Sequence, residues 1–219
     1  MKIILEGVVG SHAYGLNHAD SDVDLRGVFV TPTKEILSLS KGPETIDQTD
    51  PDICWHEVEK FVRLAANGNP NILEMFWLEK YTQLTEEGQS LLDLRQAFLS
   101  QRVRKTYGGY AMAQIKRLKE RGDGSFKSKL RKRREKHARH CFRLLWQGTQ
   151  ILQEGNLTVS VAPYREQLFH IGTLDDDALD EMFTAAMAKM DATESTLPAE
   201  PDYAKINAAL VEIRKLNWE

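Results

Sequence analysis

The chain has 219 residues, 42% of them hydrophobic and 28% charged, with a net charge of −3. That suffices for one domain, or one with a small companion, and the charge content is ordinary for a soluble chain. No apolar run approaches the ~20 residues of a membrane-spanning helix, the N-terminus lacks the basic start and cleavage site of a signal peptide, and Cys54 and Cys141 form no CxxC pair, which predicts a cytoplasmic protein with reduced, buried thiols and no membrane partner.

KIILEGVV at 2–9 reads as a strand. Residues 10–21 read as a polar connection with one helical turn at 11–16. DVDLRGVFVT at 22–31 reads as a second strand, with Val23, Leu25 and Gly27 facing one way and Asp22, Asp24 and Arg26 the other. Pro32 ends it, and 33–50 reads as a long connection. A short third strand is expected at 52–55. The period then becomes helical: Val58, Phe61, Val62, Leu64 and Ala65 share a face, and Gly68 is a natural stop. Asn69-Pro70-Asn71 reads as a turn, with Asn71 capping a helix over ILEMFWLEK. Further helices are predicted at about 86–98, 101–121, 127–154, 164–171, 175–192 and 203–216. Gly122-Asp123-Gly124-Ser125 breaks the middle pair, and 157–161 reads as a short strand. The result is an α+β fold: an N-terminal core over 1–98 and a helical region over 99–219.

Charge is segregated along this layout. Residues 101–143 hold 16 of the 29 Lys and Arg but three of the 32 acids, a balance of +13, so the remainder stands at −16. A solvated helix face needs no such separation. It points to an acidic partner for the middle of the chain, with nucleic acid or nucleotide phosphates foremost.

Two carboxylates two apart in a strand project from one face, repel each other and are costly to desolvate. Asp22 and Asp24 therefore need a cation, a basic partner or bulk water. Just upstream, Gly10 allows close backbone approach, so that N–H groups there can cradle a phosphate, and Ser11 adds a hydroxyl donor. Hard carboxylate oxygens suit Mg²⁺. A phosphate-holding turn beside a carboxylate mount is what nucleotidyl transfer requires. The competing readings are a solvated acidic turn for Asp22 and Asp24 and a helix cap for Ser11. His12 and Tyr14 read mainly as local packing, and Arg26 either neutralises the carboxylates or takes a phosphate.

Gly-Ser followed by Asp-x-Asp on the next strand resembles the signature of the DNA polymerase β-like nucleotidyltransferase superfamily. GSHAYGL, SDVDLRGVFV, KFVRLAANGNPNILEMFW and KHARHCFRLLWQGTQIL further resemble a branch of predicted bacterial and phage nucleotidyltransferases, an RNA-repair-associated polymerase β-like family. The resemblance implies a small mixed sheet flanked by helices, with a helical substrate-binding region behind it. It implies Mg²⁺ (with Mn²⁺ as the alternative) held by Asp22, Asp24 and a third carboxylate from a later strand. Asp52 is the best match, with Asp47, Asp50 and Glu57 near enough to substitute. The expected reaction moves an NMP group from an NTP to an acceptor hydroxyl, preferably on an RNA end. The alternatives are a protein or small-molecule acceptor, or a non-catalytic nucleotide- or RNA-binding module.

Lys136, His140 and Arg143 fall at i, i+4 and i+7 and share a helix face. With Gly10, Ser11 and Arg26 they form the predicted nucleotide-binding set, against the alternative of a surface stripe with Arg143 snorkelling. The basic helix at 127–139 is either an RNA contact acting through counterion release or a solubilising face. Only Phe126 interrupts its block with an aromatic ring, so base stacking there is not indicated.

Overall fold

The computed structural model describes residues 1–39, 41–119 and 128–219. They form two units: Met1–Leu99 with Glu200–Glu219, and Ser100–Ala199.

In the first unit, strand β1 (Lys2–Val9) turns through the short helix α1 (Gly10–Ala13) and a connection into β2 (Asp24–Val30). Helix α2 (Thr33–Ile36), β3 (Thr45–Thr49) and β4 (Asp52–Glu57) follow. Then come α3 (Val58–Ala66), α4 (Pro70–Leu73), a 3-10 turn at Glu74–Trp77, β5 (Gln83–Leu84) and α5 (Glu86–Asp93). The strands form one sheet in the order β3-β4-β2-β1-β5. β2 and β4 run parallel and the other neighbours antiparallel, so the sheet is mixed. Its core includes Leu5, Val28, Phe29, Phe61 and Phe76, each at most 1% exposed. The Phe76 ring lies 5.3 Å from Phe61 and 4.7 Å from Phe98 between centroids.

The second unit is helical: α6 (Arg102–Lys119), α7 (Ser128–Glu154), α8 (Arg165–Thr173) and α9 (Asp176–Ala192). Leu144, Leu145, Ile151 and Leu152 are buried on α7, with Leu168 on α8 and Met190 on α9. The last helix, α10 (Tyr203–Leu216), packs in the first unit rather than with this helical region. Arg214 on α10 grips Glu57 with both terminal nitrogens, at 2.7 and 2.8 Å, and the Asp202 N–H donates to the Ala97 carbonyl. Among the described residues no helix is long and apolar enough to cross a membrane.

Several local expectations change. β2 begins at Asp24, so Asp22 lies in the connection before it. The stretch 33–50 is not one connection: it contains α2 and β3. β3 is a mostly exposed edge strand, TIDQT, with Ile46 as its one apolar residue, so it carries no alternation to read. The turn at 69–71 is capped by Asn69, not Asn71. The Asn69 side chain accepts the Asn71 N–H, and Pro70 occupies the first helical position, where no N–H is needed. The segment 157–161 is not a strand. Gln147 and Gln150 bind its backbone groups in place of a ladder. The predicted break at Gly122-Asp123-Gly124-Ser125, with Phe126 and Lys127, lies outside the described residues.

Candidate active site

The site forms at the end of the sheet where β1 finishes and β2 and β4 begin. Asp24 and Asp52 are register partners, each the first residue of its strand in the parallel pair. Partners on neighbouring strands project to the same face, with backbones about 4.8 Å apart. The two carboxylates are therefore mounted side by side, Asp24 half-buried and Asp52 exposed. Arg26 and Cys54 repeat the pairing two residues further on, so Arg26 shares the carboxylate face.

Gly10 is shaped around Asp24. Its φ is +68°, a left-handed conformation that glycine adopts without strain. A Cβ there would stand 2.1 Å from Asp24 Oδ2. Only a residue without a side chain lets the turn close on that carboxylate. Ser11 sits inside this turn, half-buried, and α1 has no side-chain cap, so Ser11 is not a capping residue. His12 Nε2 lies 3.2 Å from the Ser21 carbonyl oxygen, tying the turn to the residue before Asp22. Asp22 itself is exposed.

A residue that sequence reasoning missed supports this arrangement. Glu74 is 2% exposed, and its carboxylate accepts the Tyr14 hydroxyl, at 3.0 and 2.9 Å from its two oxygens. The Arg26 guanidinium stands 3.8 Å from Glu74 and donates to the Asn71 carbonyl at 3.4 Å. GSHAYGL, DVDLRG and NPNILE thus meet at one buried carboxylate. The available signal was an acid inside an otherwise apolar run.

Of the substitutes for Asp52, Glu57 is excluded. It is buried at the far end of β4, capping α3 and paired with Arg214. Asp47 faces Cys54 across the β3–β4 pair; burial, and then the Asp47 side chain, push the Cys54 thiol up to about 11.

Hard oxygen donors are the right type for Mg²⁺. Among the described residues no group of three or more His, Cys, Asp or Glu side chains is gathered to hold a metal. A paired mount still fits this ion, which commonly takes one or two carboxylates and completes its shell with substrate phosphates and water. The cradle at Gly10 and the Asp24–Asp52 register are the observations that fit it.

In the second unit, Lys136 is exposed, whereas Arg143 is 1% exposed. Arg143 is neither a snorkelling nor a solvent-facing group: one terminal nitrogen donates to Gln147 Oε1 at 2.6 Å and the other faces His140 Nδ1 at 2.9 Å. Burial, and then the Arg143 charge, hold the His140 pKa well below its ordinary value. The imidazole is therefore neutral and accepts from Arg143. In the basic segment Arg131, Lys132 and Arg133 are exposed, but Arg134 is buried and paired with Asp176.

The sequence profile described as the RNA repair pathway DNA polymerase beta family matches residues 1–212. An uncharacterized 38.9 kDa protein encoded in the nrdC-mobD intergenic region of Enterobacteria phage T4 is 30% identical over 136 residues. The match takes in 56% of this chain and 40% of the phage protein, so the chain corresponds to less than half of that relative's length.

Proposed function

We propose, because the chain belongs to the RNA repair pathway DNA polymerase beta family, that it moves an NMP group from an NTP to an acceptor hydroxyl, with an RNA end as the preferred acceptor. The observation that carries this reading is the juxtaposition at the sheet end: Asp24 beside Asp52, with Gly10 closed against Asp24.

Placement in the fold supports the following roles. The backbone at Gly10 and Ser11 receives phosphate oxygens, and the Ser11 hydroxyl adds a donor. Arg26, on the carboxylate face, draws the triphosphate in. Asp24 and Asp52 would hold Mg²⁺, with Asp22 in the connection before β2 outside that pair; the ion when bound offsets phosphate charge and lowers the pKa of the attacking hydroxyl. Asp52, exposed at the rim, accepts the acceptor's proton. The acceptor oxygen bonds to the α-phosphorus, the α–β bridging bond breaks, and pyrophosphate leaves with that bond's electron pair. In the helical unit Lys136 is the solvent-facing cation for phosphate, with His140 and Arg143 enclosed behind it. The exposed Arg131, Lys132 and Arg133 favour RNA as the acceptor.

The test is incubation with each α-labelled NTP in turn, with Mg²⁺ or Mn²⁺ and total RNA or total protein. Label in ribonuclease-sensitive species is expected. Label that survives ribonuclease and is lost to protease would assign a protein acceptor instead. No transfer with any nucleotide or acceptor would leave a binding module.

A further inference from the structure

A cavity of about 550 Å³ lies wholly within the second unit. Its wall includes Trp146, Gln150 and Gln153 of α7, Ser160 of the following segment, Tyr164, and Gln167 of α8. That volume lies within the ~300–1,000 Å³ of small-molecule sites. We propose that this cavity binds a nucleobase.

The wall is built and held. Buried Arg143 donates to Gln147, and Gln147 Nε2 donates to the Thr158 and Val159 carbonyls at 3.0 and 3.2 Å. Gln150 grips Thr158 at both ends of its amide: Oε1 accepts the Thr158 N–H, and Nε2 donates to the Thr158 hydroxyl, each at 2.9 Å. An irregular segment is thus fixed against a helix by side-chain amides. This places Ser160 and Tyr164 opposite α7 and explains why a buried Arg-Gln pair stands behind the cavity.

The chemistry facing inward selects the ligand class. Trp146 and Tyr164 meet edge to face, with centroids 5.6 Å apart and planes at 62°. Tyr164 is 55% exposed, so its ring is open to a planar partner. The Gln153 and Gln167 amides and the Ser160 hydroxyl each supply donors and acceptors. A base edge needs both, and an unstacked base also needs an aromatic surface. Charge at the wall is one acid and one base, Glu154 and Lys189, which does not select an anion. α7 also carries the exposed Lys132 and Lys136. Lys136 and Gln150 are about 21 Å apart along its axis, a span of a few nucleotides of RNA. The base can come from a free nucleotide or from an unpaired position in RNA. The choice of ligand rests on the proposed function; the cavity does not.

The experiment is equilibrium binding without metal or turnover. It uses a labelled short single-stranded RNA, and free nucleotides as competitors. Tyr164→Ala is expected to weaken binding roughly tenfold, the scale of one base stacked on an aromatic ring, and Tyr164→Phe to restore it. In wild type, an abasic substitution at one RNA position should cause a similar loss, with no further loss in Tyr164→Ala. That result assigns the site to RNA. Tyr164-dependent competition by a free nucleotide, with no abasic effect, assigns it to the nucleotide. Wild-type affinity for both ligands in Tyr164→Ala and Gln153→Ala, with unchanged thermal unfolding, overturns the proposal. The measurement needs neither metal nor turnover, so failure here leaves nucleotidyl transfer standing, and failed transfer leaves the cavity standing.

Discussion

Gly10 and Asp24 constrain each other through contact, so the first prediction concerns a single methyl group. Gly10→Ala puts a carbon into the space of Asp24 Oδ2 and forces an L-residue to a φ of +68°. The backbone term alone costs about 1–2 kcal/mol, readable by chemical denaturation, and displacement of Asp24 should abolish transfer. Near-wild-type transfer would dissociate Gly10 from the site. Glu74 makes the second prediction. Glu74→Gln keeps the shape but removes the anion behind Arg26 and Tyr14. Nucleotide affinity by calorimetry should fall several-fold, on the order of 1 kcal/mol for one lost charge-assisted contact; unchanged affinity would make Glu74 purely structural. The Gly10-Ser11 turn and the Asp24 mount were legible because their chemistry is local and type-specific. Glu74 was not, because its partner Tyr14 is 60 residues away and an acid inside an otherwise apolar run does not by itself say what it faces.

Helix α7 combines three environments along one element. Its first turns hold exposed Arg131, Lys132 and Arg133, its middle encloses His140 and Arg143, and its last turns wall the cavity. Neutralising Arg131, Lys132 and Arg133 together should weaken RNA binding and flatten its salt dependence, by roughly 0.7–0.9 of log–log slope per lost phosphate contact. An identical salt titration would remove RNA from that face. Arg134 is left out because its charge is already matched by Asp176. His140 gives a pH signature. Its folded pKa is depressed below the ordinary 6.5, so the unfolded chain binds a proton that the folded chain refuses. Stability is complete above about pH 6.5 and falls below it, by up to about 1.4 kcal/mol per pH unit. Thermal unfolding between pH 7.5 and 5.5 should show this loss in wild type and less of it in His140→Gln; parallel curves would contradict it. The long helices were legible from their periodicity. β3 and the 157–161 segment were not, because an exposed edge strand carries no alternation and side-chain amides can take the place of a ladder.

Over the whole molecule, the chain divides its chemistry as it divides its charge. Acidic residues dominate the unit that mounts Asp24 and Asp52, and basic ones begin the long helix of the other. That division was visible in composition. The return of α10 to the first unit was not, since it depends on Arg214 reaching a glutamate 157 residues earlier in the sequence. The central claim is that Asp24 belongs to a metal-assisted nucleotide site, and it can be tested without knowing the acceptor. Thermal unfolding is measured with and without Mg²⁺ plus a non-hydrolysable NTP, for wild type and Asp24→Asn. A ligand that binds only the folded protein stabilises it by about 2.7 kcal/mol at a hundred times its Kd. Wild type should show a saturable rise in Tm that requires metal and nucleotide together, and Asp24→Asn, folded and of similar or greater stability alone, should show little of it. Equal rises in the two proteins, or none in wild type, would contradict the account.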